Sequence, residues 1–333
     1  MLDLLGLIAA PHTPFDHSGE LDLDVVPVQA EHLERNGVAG AFIAGTTGEC
    51  HSLTVEERER LTEAWVNATQ ELDVAVIVQV GGNCLPDCKR LARHAERVGA
   101  DAHAALSPSY FRPSGVDGLV EWCAEIAEAA PSLPFYFYDI PAWTGMQIMT
   151  SEFLVLGRKQ IPTLAGVKYT NPDLADFLRC ARFDGGTKNL YFGNDEALLA
   201  GLSLGAIGAV GSTYNFAAPI YHRMAQAFLD GDLATARYEQ AMSAALVDLL
   251  VHYDYMTAAK TTVEFLGVPV GRPRPPLDAL DHSGRQRLKS DLEELGFFEW
   301  IEEMPSDPRA IWREVAHRAR DGLHRRPVED DDD

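Results

Sequence analysis

The chain has 333 residues, 46% of them hydrophobic and 23% charged, with 50 acidic side chains against 28 basic ones. That length suits one large domain or two ordinary ones, and the composition excludes a disordered chain, a collagen-like repeat and a disulfide scaffold. A net charge of −22 argues against electrostatic binding to nucleic acid or anionic lipid, and no apolar run reaches the roughly 18 residues of a membrane-spanning helix.

In chain order, the opening MLDLLGLIAAPHTPF has no basic region and runs straight into strand-like sequence, so it is read as mature protein rather than a signal peptide. Eight short apolar runs follow one another, at 7–10, 41–44, 74–80, 102–106, 134–138, 164–167, 190–192 and 207–210. Most lack polar alternation, as strands buried on both faces do. Between them lie amphipathic segments. One begins at Thr54, where Thr54 and Glu57 form a capping box ahead of Leu61, Trp65 and Val66. Others cover 86–98, 116–129, 151–159, 172–182, 195–204 and 216–229. Gly37, Gly99 and Gly205 stand between a helix end and the next apolar run, where a left-handed cap is required.

Eight strand–helix units in about 230 residues fit an α/β fold of the (β/α)8 TIM-barrel type, although strand count alone leaves a doubly wound open sheet as a rival. The expected organisation is a barrel over 1–230 and a C-terminal helical segment packed on it over 231–300. A further helix and an acidic, disordered tail would fill 301–333. Within the helical segment, helices are expected at 233–253, 257–266 and 284–295 around a proline-rich 269–276, then at 307–320. Five scattered cysteines (Cys50, Cys84, Cys88, Cys123 and Cys180) suggest no disulfide framework and fit a reducing cytoplasm. No metal-ligand spacing is present, and His12, His17, His51 and His103 read as surface or packing residues.

In such a barrel the chemistry sits at the carboxyl ends of the strands. Strand two ends in Gly45-Thr46-Thr47-Gly48-Glu49, where consecutive N–H groups and two hydroxyls could cradle a carboxylate or simply close a turn. Strand five ends with Tyr138, whose phenol would point into the barrel mouth, and then breaks at Asp139-Ile140-Pro141. Strand six places Lys168 within an otherwise apolar run. A buried amine loses its proton more readily and could attack a ketone, or the side chain could snorkel out from the strand end. Asp195 and Glu196 open a helix, where carboxylates also favour the dipole. Gly211-Ser212-Thr213-Tyr214-Asn215 closes strand eight, and no phosphate-loop lysine follows.

Taken together, these motifs resemble the N-acetylneuraminate lyase and dihydrodipicolinate synthase family of pyruvate-dependent class I aldolases, from about residue 7 to 298. The likeness is closest to its sialic acid-cleaving lyases. It implies that Lys168 forms a Schiff base with pyruvate and that Tyr138, as phenolate, takes the proton of the substrate hydroxyl. Thr46 and Thr47 would hold the carboxylate, with Thr46 also touching Tyr138. Thr170, Gly193, Asp195, Glu196 and Ser212 would bind the polyhydroxylated chain. Tyr110 would reach a neighbouring subunit's site in a homotetramer. The partners implied are a keto sugar acid and pyruvate, with no cofactor or metal. Trp143 stands where the synthases carry an arginine and the lyases usually an aliphatic residue. It argues against the synthase reading and bears on sugar preference. Aldolases or dehydratases for other 2-keto-3-deoxy sugar acids remain the alternative, with 4-hydroxy-tetrahydrodipicolinate synthase behind them.

Overall fold

A computed structural model of the chain describes residues 4–324. Eight parallel strands close into a barrel in sequence order: β1 (Gly6–Ala9), β2 (Gly40–Ile43), β3 (Ala75–Gln79), β4 (Ala102–Leu106), β5 (Phe135–Asp139), β6 (Leu164–Tyr169), β7 (Asn189–Phe192) and β8 (Gly208–Gly211). The pairing of β1 with β8 removes the open-sheet rival. Every strand residue but Ala75 is buried, which is why the runs showed no alternation.

The ring outside consists of α1 (Val26–Arg35), α2 (Val55–Ala68), α3 (Leu85–Val98), α4 (Val116–Glu128), the short α5 (Pro141–Thr144), α6 (Thr150–Gln160), α7 (Leu174–Arg182), α8 (Leu198–Ser203) and α9 (Ala218–Leu229). The capping box at α2 is formed, with Thr54 N donating to Glu57 and Glu57 N to Thr54 at 2.8 and 3.1 Å. Gly37, Gly99 and Gly205 all take positive φ. The sequence pattern missed α1. Its buried stripe contains the polar Gln29, whose amide Nε2 donates to the His12 carbonyl at 2.8 Å.

Beyond the barrel come α10 (Leu233–His252), α11 (Tyr255–Phe265), α12 (His282–Glu294), α13 (Phe297–Trp300) and α14 (Pro308–His324). Helix α14 lies at the amino-terminal end of the barrel, where Trp312 packs on Gly6 and donates to His222 Nδ1 at 2.9 Å. Among the described residues no helix is long and apolar enough to cross a membrane. The acidic end at 329–333 lies outside the described residues.

Candidate active site

The site begins with an irregularity between β5 and β6. Phe135 pairs with Leu164 but Tyr136 with Gly166, so Ala165 is an extra residue in β6. Side chains alternate along a strand, so one extra residue reverses the facing of everything after it. Leu164 before the bulge and Val167 and Tyr169 after it all join the outer core between barrel and helices. Lys168 turns inward beside its register partner Tyr138. Without the bulge, Val167 would occupy the interior and the lysine would meet the helices.

Lys168 is 5% exposed, and its Nζ stands 4.2 Å from the Tyr138 ring centre and 4.4 Å from that of Phe42. Burial is the main force on its pKa and brings it from 10.5 down to about 7, against smaller opposing pulls from Asp195 and Cys50. An appreciable fraction is therefore neutral amine near pH 7. The snorkelling alternative is gone. Tyr138 lies against the same amine, with its hydroxyl 3.3 Å from Thr46 Oγ1. Burial pushes that phenol well above its ordinary value, with only partial relief from Thr46. Without substrate, this buried ring with no full positive charge beside it keeps its proton, so the phenolate implied for the cleavage step has to arise during the reaction.

Thr46 and Thr47 sit in the loop after β2, half-buried and facing the cavity. Among the described residues neither of their N–H groups makes a hydrogen bond, so both remain available to an incoming carboxylate. The loop is tied from behind by Thr13 Oγ1, which donates to the Gly48 carbonyl at 2.6 Å. The opposite wall is polar. Asp195 Oδ2 accepts from Thr213 N and Oγ1 at 2.9 and 2.6 Å, while Oδ1 is buried without a partner. That bond reaches across to the β8 end, so Asp195 does not cap its own helical turn. A Cβ on Gly211 would collide with this carboxylate, so glycine is required for the close approach. Burial raises the Asp195 carboxyl above its ordinary value. Ser212 Oγ lies 2.5 Å from the Tyr255 hydroxyl, and Thr170 Oγ1 is buried with no partner.

These groups share one cavity of about 810 Å³ at the carboxyl ends of the strands. Lys168, Tyr138, Thr46, Thr47, Thr170, Gly193, Asp195, Glu196, Ser212 and Trp143 all line it. Glu196 and Trp143, the latter 74% exposed, stand at its rim. Tyr110 does not belong to that lining. It is 81% exposed and packs edge-on against Phe111 at 5.1 Å. His12 and His103 are packed in the interior, while His17 and His51 are exposed. Among the described residues no cluster of side chains is arranged to hold a metal ion. The sequence reading missed Tyr255 and Leu277, which the C-terminal segment contributes to the cavity. It also missed Lys260, buried in α11. The signal for Lys260 was the one that marked Lys168, a lysine within the small and apolar stretch Thr257-Ala258-Ala259-Lys260.

The chain matches the model of the dihydrodipicolinate synthetase family over residues 3–295. It is 36% identical to the N-acetylneuraminate lyase of Mus musculus over 298 residues, covering 88% of this chain and 93% of that one. Its structure is similar to that of Proteus mirabilis N-acetylneuraminate lyase, at a TM-score of 0.86 and 40% identity over 88% of this chain and 99% of that one. It is also similar to DHDPS from Cyanidioschyzon merolae, at 0.81 and 31% identity, covering 88% and 98% of the two chains.

Proposed function

The chain belongs to the dihydrodipicolinate synthetase family, and from the cavity it carries we propose that it cleaves N-acetylneuraminate to N-acetylmannosamine and pyruvate through a Schiff base on Lys168. The observation that carries this is the juxtaposition of Lys168 and Tyr138, both predominantly or partly uncharged at rest and in direct contact.

Neutral Lys168 adds to the C2 ketone of the keto sugar acid, and its proton passes to the carbonyl oxygen. Tyr138 donates its phenolic proton to the resulting hydroxyl, which leaves as water. An iminium and a phenolate are thus created together, each stabilising the other where neither would persist alone. The phenolate then takes the C4 hydroxyl proton. The C3–C4 bond breaks, its electrons flow into the iminium, and the enamine of pyruvate remains as the aldehyde departs. Protonation at C3 and addition of water return the amine and release pyruvate. Thr46 bridges Tyr138 to the loop whose N–H groups hold the substrate carboxylate, so ketone, amine and phenol are aligned on binding. Thr170, Gly193, Asp195, Glu196 and Ser212 hold the hydroxylated chain.

The wall also supports the lyase reading over the synthase. Asp195 and Glu196 repel a second carboxylate, and Trp143 supplies no cation for one. Tyr110, exposed beside Phe111, fits a role between subunits of a homotetramer, which sedimentation of the intact chain would test, and a cytoplasmic setting suits five free thiols. The test of the function is pyruvate release from N-acetylneuraminate beside 2-keto-3-deoxygluconate, with borohydride trapping read by mass. Turnover of N-acetylneuraminate and a pyruvate adduct on Lys168 are expected. Activity on the other sugar acid alone would transfer the assignment to that substrate, and absence of any adduct would remove the covalent mechanism.

A further inference from the structure

The carboxylate loop is held by a part of the chain outside the barrel. The loop is bounded by two non-glycine residues in left-handed backbone, Ala44 at φ 52° and Glu49 at φ 54°. Such backbone persists where its surroundings over-determine it. Here they do so through Lys260 of α11. Lys260 Nζ donates to Glu49 Oε1 at 3.0 Å, to the Thr13 carbonyl at 2.9 Å and to the Arg272 carbonyl at 3.2 Å. It also lies 4.5 Å from the centre of the Phe15 ring. Both partners of the ion pair are 1% exposed. The second Glu49 oxygen accepts from Arg274 N at 2.8 Å. The Arg274 guanidinium in turn pairs with Glu57 of α2 and donates to the Gly19 and Ser52 carbonyls.

The ammonium's three donors are thus spent on the β1 end, the β2 loop and the 272–274 segment, and every acceptor is matched. A buried pair satisfied this fully defines one geometry, because any shift leaves a charge without a partner. Thr13 doubles the connection, its carbonyl on Lys260 and its hydroxyl on Gly48. Glu49 is only two residues from Thr47, so a movement of the Glu49 carboxylate moves the two threonines that line the cavity.

We propose that Lys260 and Glu49 are positioning residues for keto-acid binding: the C-terminal helical segment, acting through this pair, sets the placement of Thr46 and Thr47 and thereby the affinity for the pyruvate half of the substrate. The inference rests on the reading of that loop as the carboxylate site. It assigns the pair no contact with substrate.

The experiment uses the full chain and pyruvate as the probe. Borohydride trapping on Lys168 is measured by intact mass across a pyruvate series in the wild type, Glu49→Gln, Lys260→Met and Lys260→Arg. In Glu49→Gln and Lys260→Met the half-saturating pyruvate concentration rises on the order of tenfold to a hundredfold, with full trapping at saturation. The KM for N-acetylmannosamine in the reverse reaction stays within about threefold, since the sugar wall is untouched. Lys260→Arg keeps a cation opposite Glu49 and recovers part of the lost affinity. An unchanged half-saturation in a folded variant overturns the proposal. So does a loss falling equally on pyruvate and N-acetylmannosamine, as a general loosening of the barrel would give. If Lys260→Met does not fold, Glu49→Gln, which keeps shape and an acceptor for Nζ, decides on the same readout. A wild type that forms no adduct at any pyruvate concentration is a separate result, which removes the parent reading and the positioning role with it.

Discussion

Lys168 and Lys260 are both withdrawn from water, at 5% and 1% exposure, and both lie over aromatic rings. They solve the cost of burial in opposite ways. Lys260 has a carboxylate and two carbonyls around it. Burial lowers its pKa, but Glu49 opposes that directly. Lys168 has two ring faces beside its amine and, among the described residues, no hydrogen-bonded carboxylate; the fields of Asp195 and Cys50 are outweighed by burial, which brings it to about 7. One lysine keeps its proton by acquiring partners and becomes part of the scaffold. The other lacks close partners, gives up its proton near neutral pH and is the amine that the proposed mechanism uses as nucleophile.

The largest separation between the two is expected in catalysis. Lys168→Met lowers pyruvate release from N-acetylneuraminate by at least roughly four orders of magnitude, because no other group in the cavity can form the imine. The variant melts at or above the wild-type temperature, since an amine without close partners has been removed from the interior. Residual activity above about one per cent would show that the nucleophile lies elsewhere.

Stability reverses the order. Lys260→Met is expected to cost about 3–5 kcal/mol in urea unfolding, because Glu49 is left charged and buried. A Lys260→Met, Glu49→Leu double variant recovers much of that loss, as both desolvation costs disappear together. If single and double variants are equally unstable, the pair is not what holds the loop.

The pH dependence sharpens the contrast. Below about 7 Lys168 is a cation and cannot attack, so the rate of trapping at limiting pyruvate falls about tenfold for each further pH unit. For folding, the native pKa of about 7 stands below the ordinary 10.5. Between those values the unfolded chain binds a proton that the folded chain does not, so stability gains with rising pH across that window. The unfavourable term is fully present below about 7. Lys168→Met removes this gain, and the difference in melting temperature between wild type and variant, followed from pH 7 to 9.5, isolates it. Replacing Lys260 raises the pyruvate needed but leaves the pH midpoint of trapping where it was.

The barrel was legible because it is repetitive. Eight buried runs, glycine caps and the Thr54 capping box all pointed one way. The reactive centre of the cavity was legible for a related reason: Lys168 and Tyr138 are reactive side chains set in apolar strands. What could not be read was the Ala165 bulge that decides which way Lys168 faces, since an extra residue in an apolar run leaves no mark on its pattern. Nor could the sequence bring Lys260 to Glu49, 211 positions away, or Tyr255 to Ser212, 43 positions away, because each meeting depends on the docking of α11. That the Tyr138 phenol is held protonated without substrate follows from burial, a quantity the sequence does not give for one side chain.

The smallest expected effect belongs to a residue that is neither buried nor charged. Trp143 sits on α5 at the rim, with its backbone N–H donating to the Ile140 carbonyl at 3.2 Å and the residue 74% exposed. Truncation there removes little from the core, so Trp143→Leu leaves melting within about 0.5 kcal/mol of the wild type. The indole lines the cavity from its exposed rim, whereas Lys168 and the proposed carboxylate loop lie in its buried part. Half-saturation of trapping by pyruvate therefore stays unchanged, while the KM for N-acetylneuraminate shifts by less than about tenfold, the scale of one altered pocket contact. Comparison with 2-keto-3-deoxygluconate gives the sign. If the ring packs against the acylated end of the sugar, Trp143→Leu weakens N-acetylneuraminate more than the unacylated acid. Equal weakening of both would make the indole a general wall of the entrance, and any effect on pyruvate trapping would place it deeper than its exposure allows.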